Sequence, residues 1–212
     1  MRIITFASLL ALLVSPNVRS ADYAIVPKND ADTVTFNSTA KLEFIQGTTQ
    51  DIEGGFSFDP SNPDGKVSGV LKVDLRTLRT GIEKRDEHMR DKHLHTKDYP
   101  YAYFEIKSVA PFPALTKFDS VYVVKAIGNF YIHGNYREVE AALQLVRKRL
   151  LSGLEAVDVR AKFSMELDKF KIPRPKALFL KLAETIEVEA VFTALQASAP
   201  SSLALPDWPK LN

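Results

Sequence analysis

The feature that most constrains this chain is a strict alternation of apolar and polar residues. In TVTFNSTAKLEF, residues 33 to 44, Val34, Phe36, Ser38, Ala40, Leu42 and Phe44 fall on one face and Thr33, Thr35, Asn37, Thr39, Lys41 and Glu43 on the other. A period of two marks a half-buried strand. KVSGVLKVDLR repeats it, with Val67, Gly69, Leu71, Val73 and Leu75 on the apolar face. Ala102, Phe104, Ile106 and Ser108 alternate with Tyr103, Glu105 and Lys107. The same pattern predicts strands at 121–132, 136–148, 156–168 and 183–195. Gly54-Gly55 precedes a short run from Phe56 to Phe58, and Tyr23 to Val26 adds a short first strand. Asn62-Pro63-Asp64-Gly65, His133-Gly134-Asn135 and Leu151-Ser152-Gly153 read as turns.

About eight long strands with short connections imply an antiparallel all-β fold. A closed barrel and a sandwich both satisfy the period, and simple up-and-down order favours the barrel. An outer-membrane barrel would place the apolar set outside. The charged set (Lys41, Glu43, Lys72, Asp74, Glu105, Lys107 and Lys125) lies largely mid-strand, and a narrow lumen would have to pair nearly all of it. The expectation is therefore an apolar interior and a charged exterior.

The residues expected to face the lumen are Phe36, Leu42, Phe44, Leu71, Val73, Phe104, Ile106, Val124, Phe130, Ile132, Leu143, Phe163 and Met165. Small residues are interspersed with them: Ser38, Ala40, Gly69, Ala102, Ser108, Ala126, Gly128, Ala141 and Ala161. They either leave room for an apolar guest or fit the taper of a filled barrel. A dry tube would suit a long hydrocarbon, because each buried methylene contributes about 0.8 kcal/mol.

The chain starts MRIITFASLLALLVSPNVRSAD. A short positive start, an apolar run from Ile3 to Val14 and the small-x-small triplet Val18-Arg19-Ser20 predict a signal peptide over 1–20, cut before Ala21. No other segment is long and apolar enough for a stable membrane span. The body runs over 21–195, and 196–212, rich in Pro, Ser and Ala, reads as an extended tail. Losing Arg2 and Arg19 leaves 26 of the 28 basic residues against 26 acids. That balance leaves no electrostatic footprint for nucleic acid. Cysteine is absent, which excludes a disulfide framework and thiolate metal or haem attachment.

One predicted helix interrupts the strands. Thr80-Gly81-Ile82-Glu83 has capping-box spacing, Asp86 and Arg90 have ion-pair spacing, and the helix is expected to end near His95. It carries RDEHMRDKHLHTKDYP, with three of the chain's four histidines. His88 and His95 would share a face with Asp91 between them, the best metal candidate in the chain, but they would lie about 10 Å apart along the axis. His88 and Asp86 are two apart and would not face each other as a base and its orienter. No nucleophile motif such as GxSxG is present. The expectation is no catalytic residue, no resident metal and no cofactor, with the helix capping one barrel end.

Several motifs then occur in a telling order. They are Tyr23-Ala24-Ile25, Gly54-Gly55-Phe56 with Phe58-Asp59-Pro60, Val73-Asp74-Leu75 with Thr80-Gly81, and Arg85-Asp86-Glu87-His88 with Tyr99-Pro100 and Phe104. Gly128-Asn129-Phe130-Tyr131-Ile132-His133-Gly134 follows, then Phe163, Leu167, Phe170 and Ile172. Over about residues 22 to 195 this resembles the YceI-like family of polyisoprenoid-binding periplasmic proteins. Met89 and Asp91-Lys92-His93-Leu94 depart from the family's usual residues, and 147–158 and the tail look less typical. The resemblance implies a lipocalin-like eight-stranded barrel with a short capping helix, and an apolar tunnel. It also implies an isoprenoid lipid or quinone as ligand, binding without catalysis, and homodimers in some members. Arg85, Asp86, His88 and Tyr99 are then expected at the mouth, with a structural part foremost. The expected function is a periplasmic isoprenoid-lipid carrier or reservoir. A metal-dependent enzyme built on the histidines and a ligand-free structural or stress-response protein are the alternatives.

Overall fold

A computed structural model describes residues 21–27, 29–39, 43–59, 66–110, 115–174 and 182–197. The expected signal peptide and most of the tail lie outside the described residues. Among the described residues ten strands form: β1 (Ala21–Ile25), β2 (Thr33–Thr39), β3 (Phe44–Thr49), β4 (Ile52–Phe58), β5 (Ser68–Asp74), β6 (Tyr101–Ala110), β7 (Val121–Ile132), β8 (Asn135–Arg149), β9 (Glu155–Glu166) and β10 (Thr185–Ala197). They make one antiparallel sheet in the order β1-β4-β5-β6-β7-β8-β9-β10, closed by β1 against β10, with β2 and β3 continuing from β10. β10 pairs with β2 through Glu187–Val191 and with β1 through Ala194–Ala197. β2 thus extends the position of β1 in the ring, and β3 extends that of β4. The barrel is eight-stranded and closed, with two of its positions built from interrupted strands.

Closure removes the unpaired edges that an open sheet would expose. The apolar set faces in and the charged set faces out. Cross-strand ion pairs cover the exterior: Lys72 with Glu53, Lys125 with Glu140 at 2.7 Å, and Arg160 with Glu189 at 2.5 Å. This is the reverse of the outer-membrane pattern. No helix among the described residues is long and apolar enough to cross a membrane.

Four local expectations are corrected. Residues 33 to 44 do not form one strand: β2 turns back into β3, pairing Thr39 with Phe44. Partners in an antiparallel pair share a face, so Phe44 joins Thr39 outside and is 60% exposed. Leu42 and Ala40 lie outside the described residues. A bulge between Ile106 and Ser108 advances the phase of β6, so Val109 lines the interior and Ser108 is exposed. Gln196 and Ala197 belong to β10 rather than to a tail, because Tyr23 and Asp22 pair with them.

The helix is α1 (Glu83–His88), continued by a π-helical turn over Met89–His93. Thr80 does not cap it. The N-cap is Ile82, whose aliphatic side chain cannot bond, and Thr80 is engaged instead by the buried Asp86 carboxylate, which accepts both its N–H (2.7 Å) and its hydroxyl (2.5 Å). Asp86 is thereby turned from Arg90, which reaches the Leu78 carbonyl at 3.5 Å.

Candidate ligand cavity

The two ends of the barrel are built differently. At the end away from α1, Tyr23 is fully buried and stacks on Phe56 and Phe58, with ring centroids 5.7 and 5.0 Å away. Leu115, Phe58 and Val67 close this end with almost no exposure. Arg147 ties the segment around Leu115 to β8 and β9: it donates to the Leu115 carbonyl at 2.7 Å, pairs with Glu155 at 2.5 Å and covers the Phe118 ring. Between this plug and α1 lies a cavity of about 590 Å³ with an almost wholly apolar wall.

Two kinds of small residue behave differently along that wall. Ala102, Ala126, Ala141 and Ala161 line the cavity and make its width. Gly69 and Gly128 do not: a Cβ on Gly69 would stand 2.7 Å from the Phe56 Cβ, and one on Gly128 2.6 Å from the Phe104 ring. These glycines let an aromatic side chain lie flat across the strand. Ser38 is fully buried and accepts the Ala183 N–H at 2.9 Å. The small residues thus serve both room and packing.

Of the residues expected at the lumen, Phe36, Leu71, Val73, Phe104, Ile106, Phe130, Ile132, Leu143, Phe163 and Met165 line the cavity. Val124 does not. It is 2% exposed and belongs to the packed cluster of the closed end, where side chains fill the interior. The wall also includes Ile186, Val188, Ala190 and Phe192 of β10 and Val157 and Val159 of β9. Val157 and Val159 continue along β9 the inward parity of Ala161, Phe163 and Met165, and the β10 residues face in because they are the register partners of that set.

The mouth is at α1. Among the described lining residues, only Ile82 and Lys84 are exposed. Arg85 and His88 line it; Asp86 stands behind it, and Tyr99 lies elsewhere, packed on Gly134 and edge-on to His133 with centroids 5.2 Å apart. Arg85 donates to Glu43 at 3.0 Å and, from Nε, to the Thr80 hydroxyl at 2.7 Å. These bonds pin the helix to the loop before it and to the β2–β3 hairpin. Lys84, Glu43 and Thr80 also line this end, and no periodicity points to them, since loops far apart in sequence assemble it.

The histidines separate instead of clustering. The π turn and a left-handed backbone at His95 (φ 46°) carry that residue away from His88. His133 Nδ1 can only donate to the Phe170 carbonyl (3.3 Å), so its Nε2 accepts from His95 Nδ1 at 2.7 Å. His93 Nδ1 donates to the Pro173 carbonyl at 2.6 Å. Burial pushes both His93 and His133 below the ordinary histidine range, and neighbouring imidazoles add to it. Among the described residues, no three His, Asp or Glu side chains converge as metal ligands. His95, through His133, fastens the capping helix to the turn after β7, and His93 fastens it to the segment after β9.

Comparison with known proteins agrees with this architecture. A UPF0312 protein of Pseudomonas putida is 30% identical over 196 residues, covering 88% of this chain and 96% of its own. One from Pseudomonas fluorescens is 29% identical over 129 residues, 58% of this chain and 62%, under two thirds, of its own length. Among solved structures, a polyisoprenoid binding domain from Saccharophagus degradans superposes with a TM-score of 0.66 at 18% identity, covering 84% of this chain and all of that one. The YceI protein of Campylobacter jejuni superposes with a TM-score of 0.60 at 16% identity, covering 76% and 88%. The pattern of the YceI-like domain itself matches residues 23–194, from the strand that closes the barrel to the one it closes upon, and the chain belongs to that family.

Proposed function

We propose that this protein is an exported binding protein that holds an isoprenoid lipid, a polyprenyl chain or an isoprenoid quinone, with its hydrocarbon in the barrel cavity. It acts as a carrier or reservoir in the periplasm and performs no chemistry on its guest. The observation that carries this reading is the apolar cavity of about 590 Å³, closed at one end and open beside α1. That volume lies within the roughly 300–1,000 Å³ of small-ligand sites. Each isoprene unit buried there contributes about 3 kcal/mol, before the cost of ordering the chain is deducted. The Saccharophagus degradans domain, described as polyisoprenoid binding, supports the ligand class. The signal-peptide pattern of residues 1–20 supports the address.

The test is native mass spectrometry of protein purified from its own envelope, followed by solvent extraction of the bound material. One isoprenoid per chain is expected, on a polypeptide whose mass begins at Ala21. Ala161→Trp, which fills the cavity between Leu143 and Ala190, should keep the fold and lose the lipid. A wild-type protein that stays at its bare mass after incubation with polyprenols and quinones would return the barrel to a structural role.

A further inference from the structure

Among the described residues, every exposed leucine lies in one loop, the turn joining β8 to β9: Leu150, Leu151 and Leu154. Leu151 is 111% exposed, so it contributes no burial to the fold. Scattered apolar residues on a surface are ordinary, but a contiguous patch marks a contact with protein or membrane. This patch is contiguous. Val121 and Val123 are exposed on neighbouring β7, where Val121 pairs with Val146. The loop also projects. β7 begins opposite Val146 and β10 pairs with β9 as far as Ala156, whereas β8 continues to Arg149 and pairs it with Glu155. The turn bonds to its own backbone. The Leu150 N–H donates to the Leu154 carbonyl and the Gly153 N–H to the Leu150 carbonyl, each at 2.9 Å, with Gly153 left-handed at φ 85°. Those groups need no water when the tip leaves it.

Behind the leucines stands a basic neck, Arg147-Lys148-Arg149. Its three cations share two carboxylates: Arg147 and Arg149 both pair with Glu155, and Lys148 pairs with Asp158. The acids lie underneath. The Arg149 side chain is 60% exposed and that of Glu155 15%. Phe118 holds the Arg149 guanidinium in place from below, 4.4 Å from its ring centroid. Lys117 and Asp119, exposed before β7, carry opposite charges. A convex apolar tip with a cationic collar matches the boundary between acyl chains and anionic head groups, and it needs no matching pocket there. We infer that this hairpin docks the barrel on the surface of an anionic phospholipid bilayer, with Leu150, Leu151 and Leu154 entering the acyl boundary and Lys148 and Arg149 at head-group level. The tip stands at the plugged end, beside the Arg147 contact to Leu115. A docked barrel therefore turns its mouth away from that surface. Docking of this kind goes beyond the lipid-binding reading and holds whether or not the cavity is filled.

The experiment mixes the mature protein with vesicles of phosphatidylglycerol and phosphatidylethanolamine and reads the bound fraction by sedimentation. Leu151→Ser should lower the partition coefficient about tenfold, the scale of one leucine taken out of water. Its urea midpoint should match the wild type, because Leu151 is fully exposed. The absence of cysteine allows a single label. Leu151→Cys carrying an environment-sensitive fluorophore should shift to the blue on these vesicles and become shielded from iodide. The same label on Lys84→Cys, at the mouth, should stay in water. Three results overturn the inference: no partitioning of the wild type, partitioning that Leu151→Ser leaves intact, or shielding at residue 84 without shielding at 151. Self-association that Leu151→Ser abolishes, with no vesicle binding, also overturns it and gives the tip to a second copy of the chain.

Discussion

Tyr23 shows how much one side chain can hold at the closed end. It is fully buried between aromatic rings, and its hydroxyl lies 3.4 Å from Glu155 Oε2. Burial, helped by the Glu155 charge, pushes the phenol up to about 12. A phenol that ionises less readily when folded contributes stability present below its unfolded pKa of about 10 and lost as pH rises toward about 12. The urea midpoint should therefore fall between about pH 10 and 12, and Tyr23→Phe should flatten that fall. His133 works with the opposite sign. Burial first, and His95 next, hold it below the ordinary range. Its contribution is present above the unfolded pKa of about 6.5 and declines as pH drops below that. Urea midpoints should decrease from about pH 7.5 to 5, less steeply in His133→Gln. His93 is shifted the same way, so part of the slope should survive in that variant.

At the scale of elements, strand phase and glycine placement set the shape of the wall. The alternation in β7 is legible from Val121 to Ile132, yet Gly128 acquires its meaning only from β6, whose Phe104 ring covers it. Gly128→Val would push into that ring and the Glu105 carbonyl. It should destabilise the fold by about 1–3 kcal/mol, seen as a lower urea midpoint at unchanged slope. The bulge in β6 is a second case. A single extra residue after Ile106 puts Val109 into the cavity in place of Ser108, and no local residue preference announces it.

Across the whole molecule, stability is distributed unevenly around the ring. β9 is paired with β10 over 156–166 and with β8 over 155–162. β3 pairs with β2 and, on its other side, meets the described residues at one bridge, Thr48 to Arg79. The mouth is bordered by β3 and α1, so the least supported elements surround the entrance. Amide hydrogen exchange should show β9 opening only with global unfolding, and β3 and residues 83–93 opening at lower free energy. Equal protection of β3 and β9 would mean that the entrance does not open independently.

The amino-acid sequence by itself determined the antiparallel strands, the apolar inward face, and most of the wall from Phe36 to Met165, because alternation is a local property that each segment carries alone. It also contained the tie between Arg85-Asp86 and the barrel end, though as a recurring motif rather than as a geometry. Only the tertiary structure decided that Phe44 turns outward and Val124 packs away from the cavity. It alone decided that His95 meets His133 and that Lys84 stands at the opening. Each of those outcomes depends on pairing between segments distant in sequence: which strand a hairpin returns to, where the ring closes, and which end its loops fill. Empty volume is the clearest instance, since it belongs to no residue and arises from the distance between facing strands.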